Sequence, residues 1–133
     1  MDYIVYKRFR QGDVNLPAMT ECESKGNVIF CRGKEICAVA SANAHQYFAR
    51  NDDGRGMERG ALAQAIQKAL RTNKDPRTDK AYQAKWDKVW GDALCQKYKR
   101  TEHADHWLWN HEFFNAPIED LRYISALVGA KGG

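Results

Sequence analysis

Hydrophobic positions in the first forty residues follow the two-residue period of β-strands. Tyr3 to Phe9 is rich in β-branched and aromatic residues that roughly alternate with polar ones. Three further short segments of this character are predicted as strands: Met19 to Glu23, Asn27 to Arg32 and Glu35 to Ala40. The glycines in Lys25-Gly26-Asn27 and Gly33-Lys34 predict tight turns. The pattern therefore predicts a small antiparallel sheet or meander in residues 1–40.

After Ala40 the apolar residues recur three and four positions apart, which is the period of α-helices. Ser41 is a favourable N-cap for a short helix from Ala42 to Ala49. A second predicted helix runs from Met57 to Leu70. A third begins at about Asp79, with a break or new cap at Gly91-Asp92. The aromatic block Thr101 to Ala116 and the segment from Pro117 to a stop at Gly129 are also predicted to be helical.

These two patterns predict an α+β fold, with an N-terminal antiparallel β-sheet or meander followed by a C-terminal helical half. A chain of 133 residues is long enough for one core of its own. We therefore expect a single domain over residues 1–133, with a strand-rich part at 1–40 and a helical part at 41–129.

Composition and charge narrow the classes of function. No apolar run approaches the roughly 20 residues of a membrane helix. The first residues lack the basic-then-apolar order of a secretory signal, so we expect a cytoplasmic protein with no membrane partner. The formal net charge of +4 suits an anionic ligand but falls short of a duplex-DNA binder, and a nucleic-acid partner is not expected.

No motif for a metal or cofactor accompanies this composition. The four cysteines, Cys22, Cys31, Cys37 and Cys95, include no C-x-x-C pair and are expected to be small buried apolar residues. His103 and His106 have a spacing compatible with metal ligation, but H-E-x-x-H is absent. A metal-dependent hydrolase stays an alternative, and the expectation is no metal, no cofactor and no enzyme activity.

The segment Arg50 to Gly60 is the first candidate site, because it places three arginines, three acidic residues and three glycines before a helix start. Arginines bind anionic oxygens in pairs of hydrogen bonds, and a helix N-terminus adds partial positive charge. The segment matches no P-loop, dinucleotide-binding or EF-hand pattern. The structural alternative is a capped turn in which Asp52 and Asp53 pair with nearby arginines.

The second candidate is the aromatic block, in which His106, Trp109, Asn110 and Phe113 would share one helical face. Aromatic rings stack on nucleobases, and an asparagine amide binds a base edge. We predict that Arg50, Arg55, Arg59 and Arg100 hold phosphates, that Trp109 stacks on a base, and that Asn51 and Asn110 bind polar edges. The structural alternative is that these rings belong to the core.

The stretches Asn43 to Gly54 and Trp107 to Ala116 resemble small phage- and prophage-encoded proteins. The order of a strand-rich half and a helical half resembles the anti-Thoeris sponge proteins. This resemblance implies a non-enzymatic phage counter-defence protein, acting in the host cytoplasm as a homo-oligomer. It would sequester a cyclic nucleotide immune signal, either a cyclic ADP-ribose isomer or a cyclic oligonucleotide. The alternative is an inhibitor that binds a host protein or nucleic acid through a basic and aromatic surface.

Overall fold

A computed structural model of the chain describes residues 2–70, 75, 77–99 and 109–129. The strands in these residues are β1 (Tyr3–Val5), β2 (Phe9–Gln11), β3 (Val14–Leu16), β4 (Glu21–Lys25), β5 (Val28–Cys31), β6 (Lys34–Ala38) and β7 (Phe48–Arg50). The helices are α1 (Ala42–Tyr47), α2 (Gly56–Ala69), α3 (Lys80–Trp90), α4 (Ala93–Lys97), α5 (His111–Phe114) and α6 (Ile118–Leu127). This succession confirms the predicted α+β fold with an N-terminal antiparallel sheet and a helical C-terminal half.

Five strands form one antiparallel sheet in the order β6-β5-β4-β1-β7, and β2 and β3 form a separate hairpin. The first strand of the chain therefore lies inside the sheet, with Tyr3 opposite Cys22 on one side and Arg50 on the other. Two-residue turns join β2 to β3, β4 to β5 and β5 to β6.

Several elements differ from the sequence prediction: β3 was not predicted, and the strand predicted at Met19 to Glu23 lies at Glu21–Lys25. The predicted strand from Tyr3 to Phe9 is interrupted after Val5, and Phe9 begins the β2–β3 hairpin. The predicted helix from Ala42 to Ala49 ends at Tyr47, and Phe48 to Arg50 pair with β1 instead. The pairing of Phe48–Arg50 with β1 supplies hydrogen-bond partners for the β1 backbone, and Phe48 is buried, with 3% of its surface exposed. Together these interactions outweigh the local helical pattern.

The chain divides into two compact units, Met1–Ala61 and Leu62–Gly133, and each has its own hydrophobic core. In the first unit, Val5, Cys22 and Ile29 are fully buried. Phe9 packs edge-on against Tyr47, with ring centroids 5.3 Å apart. The prediction of a single domain stays a prediction.

In the second unit the helices supply the core. Its fully buried hydrophobic side chains include Ile66, Val89, Phe113, Leu121 and Ile124. The predicted break at Gly91-Asp92 is confirmed, because α3 ends at Trp90 and Asp92 caps α4 by accepting a hydrogen bond from the Cys95 amide at 3.0 Å.

Candidate functional site

The Arg50–Gly60 loop leaves the sheet at the end of β7 and enters α2 at Gly56. Its start is held on the sheet, because Arg50 pairs with Tyr3 and the Asn51 amide donates to the Asp2 carbonyl at 2.8 Å. Gly54 has a φ of 74°, a left-handed conformation that glycine adopts without strain. The loop is therefore a defined turn between a strand and a helix.

Two side chains of the loop cap its own backbone at the start of α2. Asn51 Oδ1 accepts a hydrogen bond from the Gly56 amide at 2.9 Å. Asp53 Oδ1 accepts one from the Arg55 amide at 3.0 Å. These oxygens occupy the positions that an external anion would take at a helix N-terminus. Asn51, predicted to bind a polar edge of a ligand, is thus a capping residue in this structure.

Arg59, a residue of α2, is fully buried and binds the loop through hydrogen bonds. Its Nη1 donates to Asp53 Oδ1 at 3.1 Å and to the carbonyl oxygen of Arg50, and its Nη2 donates to Asp53 Oδ2. This two-pronged pairing holds the pKa of the Asp53 carboxyl well below its ordinary range. The structure therefore gives the Arg59 guanidinium an internal partner, and a role for it in phosphate binding stays a prediction.

Arg50 and Arg55 are the arginines of the loop that reach solvent. Arg50 Nε lies 3.0 Å from Asp52 Oδ1, without the alignment of a hydrogen bond, and the Arg50 side chain is 33% exposed. Arg55 Nη1 lies 3.7 Å from Glu58 Oε1, and its side chain is 57% exposed. The pairs Arg50–Asp52 and Arg59–Asp53 are those of the capped turn that the sequence offered as the structural alternative.

The glycines that flank the start of α2 have packing partners. A Cβ at Gly56 would lie 2.5 Å from Cγ2 of Ile4, and a Cβ at Gly60 would lie 2.1 Å from Cγ of Tyr6. Neither distance is compatible with a side chain, because the first turn of α2, which belongs to the first unit, packs against Ile4 and Tyr6. Sequence reasoning missed these partners, since nothing near the loop in sequence indicates that Ile4 and Tyr6 face it.

Trp109 and Asn110 lie just before α5, so the prediction that they belong to a helical face is wrong. Trp109 forms an isolated β-bridge with Lys99, and its ring stacks on Phe113 with centroids 4.2 Å apart. Asn110 caps α5: its Oδ1 accepts from the Phe113 amide at 3.1 Å and its Nδ2 donates to the Lys97 carbonyl at 3.2 Å. Arg100, His103 and His106 lie outside the described residues.

The cysteines of the described residues behave as the sequence predicted at three positions. Cys22, Cys31 and Cys95 are buried, and Cys37 is half-buried. Burial raises the pKa of the Cys95 thiol to about 12, and burial also raises the pKa of Cys22 and Cys37. A raised pKa lowers the fraction of thiolate, the form that reacts and binds metals.

Within the described part of the chain, no three histidine, cysteine or acidic side chains are grouped so as to hold a metal ion. Also within that part, none of the helices combines the length and apolar character needed to cross a membrane.

The geometry thus separates the predicted site residues by role. Arg55 and Arg50 present cations to solvent, whereas Arg59 is paired with Asp53 inside the loop. Asn51 and Asn110 cap helices. Trp109 is half-buried and stacked on Phe113. Comparison with protein family models, curated proteins and solved structures finds no match to this chain.

Proposed function

We propose that this protein is a non-enzymatic phage counter-defence protein that sequesters a cyclic nucleotide immune signal in the host cytoplasm. The ligand in this proposal is a cyclic ADP-ribose isomer or a cyclic oligonucleotide. The observation that carries it is the half-exposed Arg55, placed at the last loop position before α2 on a loop that the pair of buried Arg59 with Asp53 holds in place.

A fixed loop favours binding because less conformational entropy is lost when a ligand orders it. The Arg59–Asp53 pair and the two backbone caps supply this preorganisation. In the proposal, Arg59, Asn51 and Asn110 therefore act as positioning residues, and contact with the phosphates is left to Arg55 and Arg50.

The ion pairs of Arg50 and Arg55 leave these side chains available to a ligand. Of their carboxylate partners, Asp52 is exposed, with 58% of its side-chain surface accessible, and Glu58 is partly exposed, with 36% accessible. Exposed pairs of this kind contribute about 0.2–1 kcal/mol, whereas hydrogen bonds from arginine to a phosphate are charge-assisted and often paired. A phosphate group can therefore replace Asp52 or Glu58 at modest cost.

The aromatic part of the proposal rests on Trp109, which keeps part of its surface accessible while stacked on Phe113. A nucleobase stacked on an aromatic ring gains about 1–3 kcal/mol. The loop and Trp109 belong to different units, and assembly as a homo-oligomer is part of the proposal. The resemblance to sponge proteins supports that part.

The test is calorimetric titration of the purified protein with cyclic ADP-ribose isomers and cyclic oligonucleotides, followed by heating and mass analysis of what is released. We expect tight binding, recovery of intact ligand, and about tenfold or greater weakening in Arg55→Ala, the loss that removing a charge-assisted contact causes. Arg77→Ala is the matched control, because Arg77 is also an exposed arginine paired with an aspartate, Asp75.

Three outcomes contradict the proposal: no binding of any of these nucleotides, recovery of a degraded ligand, or equal weakening in Arg55→Ala and Arg77→Ala. A host protein that copurifies in place of a nucleotide would favour the inhibitor alternative instead.

A further inference from the structure

A cleft in the first unit lies between the β2–β3 hairpin and the β5–β6 hairpin. Its volume is about 230 Å³. The buried part of its lining is apolar and includes Leu16 and Cys31, which are 4% and 3% exposed. Val14 and Ile36, both half-buried, extend this apolar surface. The cleft shares no residue with the Arg50–Gly60 loop.

The exposed part of the same lining carries charge, from Arg32, Lys34 and Asp13. No described carboxylate lies within 4.0 Å of the side-chain nitrogens of Arg32 or Lys34. This contrasts with the Arg50–Gly60 loop, where all three arginines have acidic partners. Two cations and one carboxylate leave the cleft with a single net positive charge.

The backbone of Arg32 supplies a second, independent observation. Arg32 and Gly33 form the two-residue turn between β5 and β6, and both have positive φ, 56° and 75°. Such a turn favours Asn-Gly, because asparagine tolerates the left-handed conformation better than other side chains. An arginine at the first position is strained, and strained residues cluster at functional sites.

We propose that this cleft binds a small organic monoanion, a carboxylate on a compact apolar group, with Arg32 and Lys34 facing the carboxylate and Leu16, Val14 and Ile36 covering the apolar group. The volume sets the size, since sites for drug-sized ligands occupy about 300–1,000 Å³ and this cleft is smaller. Because the lining of the cleft carries one net positive charge, we expect a ligand with one negative charge. A cyclic dinucleotide is too large for the cleft, so this site is separate from the proposed nucleotide function.

The probe for the test is 4-fluorobenzoate, followed by fluorine NMR and by backbone amide chemical shifts of the full chain. We expect a Kd on the order of 1 mM for 4-fluorobenzoate, because the small number of atoms in this ligand limits its binding free energy. The shifts should map to residues 13–16 and 31–36. The neutral 4-fluorobenzamide, which lacks the charge, and acetate, whose apolar part is only a methyl group, should each bind about tenfold more weakly than 4-fluorobenzoate.

The decisive variant is Arg32→Asn, which removes the guanidinium and relieves the backbone strain. We expect about fivefold or greater weakening of 4-fluorobenzoate binding together with a melting temperature raised by about 2–5 °C. Lys34→Gln should weaken binding less, and the matched control Arg10→Gln, on the β2–β3 hairpin but outside the lining, should leave binding within about twofold.

Unchanged binding in Arg32→Asn, shifts that map elsewhere, equal binding of acetate or the neutral amide, or no binding at all would each overturn the proposal. A lowered melting temperature in Arg32→Asn would overturn its strain argument, and the stability measurement does not depend on which ligand is used.

Discussion

At the scale of single residues, the environment of each arginine decides what it can do. Arg59 is buried against Asp53, whereas Arg55 and Arg32 reach solvent. The sequence offered aspartate–arginine pairing in the loop as the structural alternative to an anion site, because the partners are six or fewer positions apart. It did not predict the strained Arg32, because that conformation follows from the pairing of Cys31 with Lys34 across the turn.

The Arg59–Asp53 pair yields a prediction for stability. Asp53→Asn leaves the buried Arg59 charge without its carboxylate and should lower the free energy of unfolding by about 2 kcal/mol near pH 7, measured by urea denaturation. Asp52→Asn is the control, since Asp52 is exposed beside Arg50, and it should change the free energy by less than about 0.5 kcal/mol.

The same pair predicts a pH dependence. The pKa of Asp53 is lower in the folded protein than in the unfolded chain, so its stabilisation is fully present above the unfolded value of about 3.9. It is lost as the pH falls towards the folded value. The difference in stability between wild type and Asp53→Asn should therefore shrink below about pH 4. A difference that stays constant with pH would contradict the ion-pair assignment.

At the scale of elements, hydrophobic period predicted most helices and most of the strands, but it missed the local β2–β3 hairpin and it failed at β7, where a distant segment decides the outcome. The break between α3 and α4 was predicted from Gly91-Asp92, because capping is local. The strand β7 was missed because its partner, β1, lies more than forty residues away. The packing role of Gly60 was missed for the same reason: Tyr6, which excludes a side chain there, is distant in sequence.

Gly60→Ala tests that packing role. In an open helix this change stabilises by about 1 kcal/mol, but contact of the new methyl with Tyr6 should instead destabilise the protein by about 1–3 kcal/mol, measured by thermal or urea unfolding. Gly91→Ala, whose Cβ would lie no closer than 3.3 Å to a neighbour, should change stability by about 1 kcal/mol or less. Unchanged stability in Gly60→Ala would contradict the packing role and return this glycine to the candidate ligand site.

At the scale of the whole molecule, the open question is whether the two units unfold together. The sequence predicted one domain from length alone, whereas the contacts form two units with separate cores. Length cannot distinguish these cases, because cooperativity depends on contacts that composition does not encode. All four tryptophans, at positions 86, 90, 107 and 109, fall in the second unit, so their fluorescence reports on that unit.

Ile29→Ala tests whether the two units unfold together, because Ile29 lies in the first unit and the tryptophans lie in the second. It opens a cavity in the first core and should lower stability by about 2–4 kcal/mol. If the chain is a single domain, tryptophan fluorescence and far-UV circular dichroism should shift by the same amount and keep one midpoint. A shift confined to circular dichroism, with the fluorescence midpoint of the wild type retained, would show that the units unfold separately.

The place of β1 inside the sheet has a consequence for folding during synthesis. Tyr3–Val5 leaves the ribosome before both of its partners, β4 and β7, and the latter ends at Arg50. Since neighbouring hairpins close faster than distant strands, β4, β5 and β6 should assemble first, and β1 should then add beside β4. One side of β1 stays an open edge until β7 is translated. During this interval the nascent chain is most exposed to pairing with another copy.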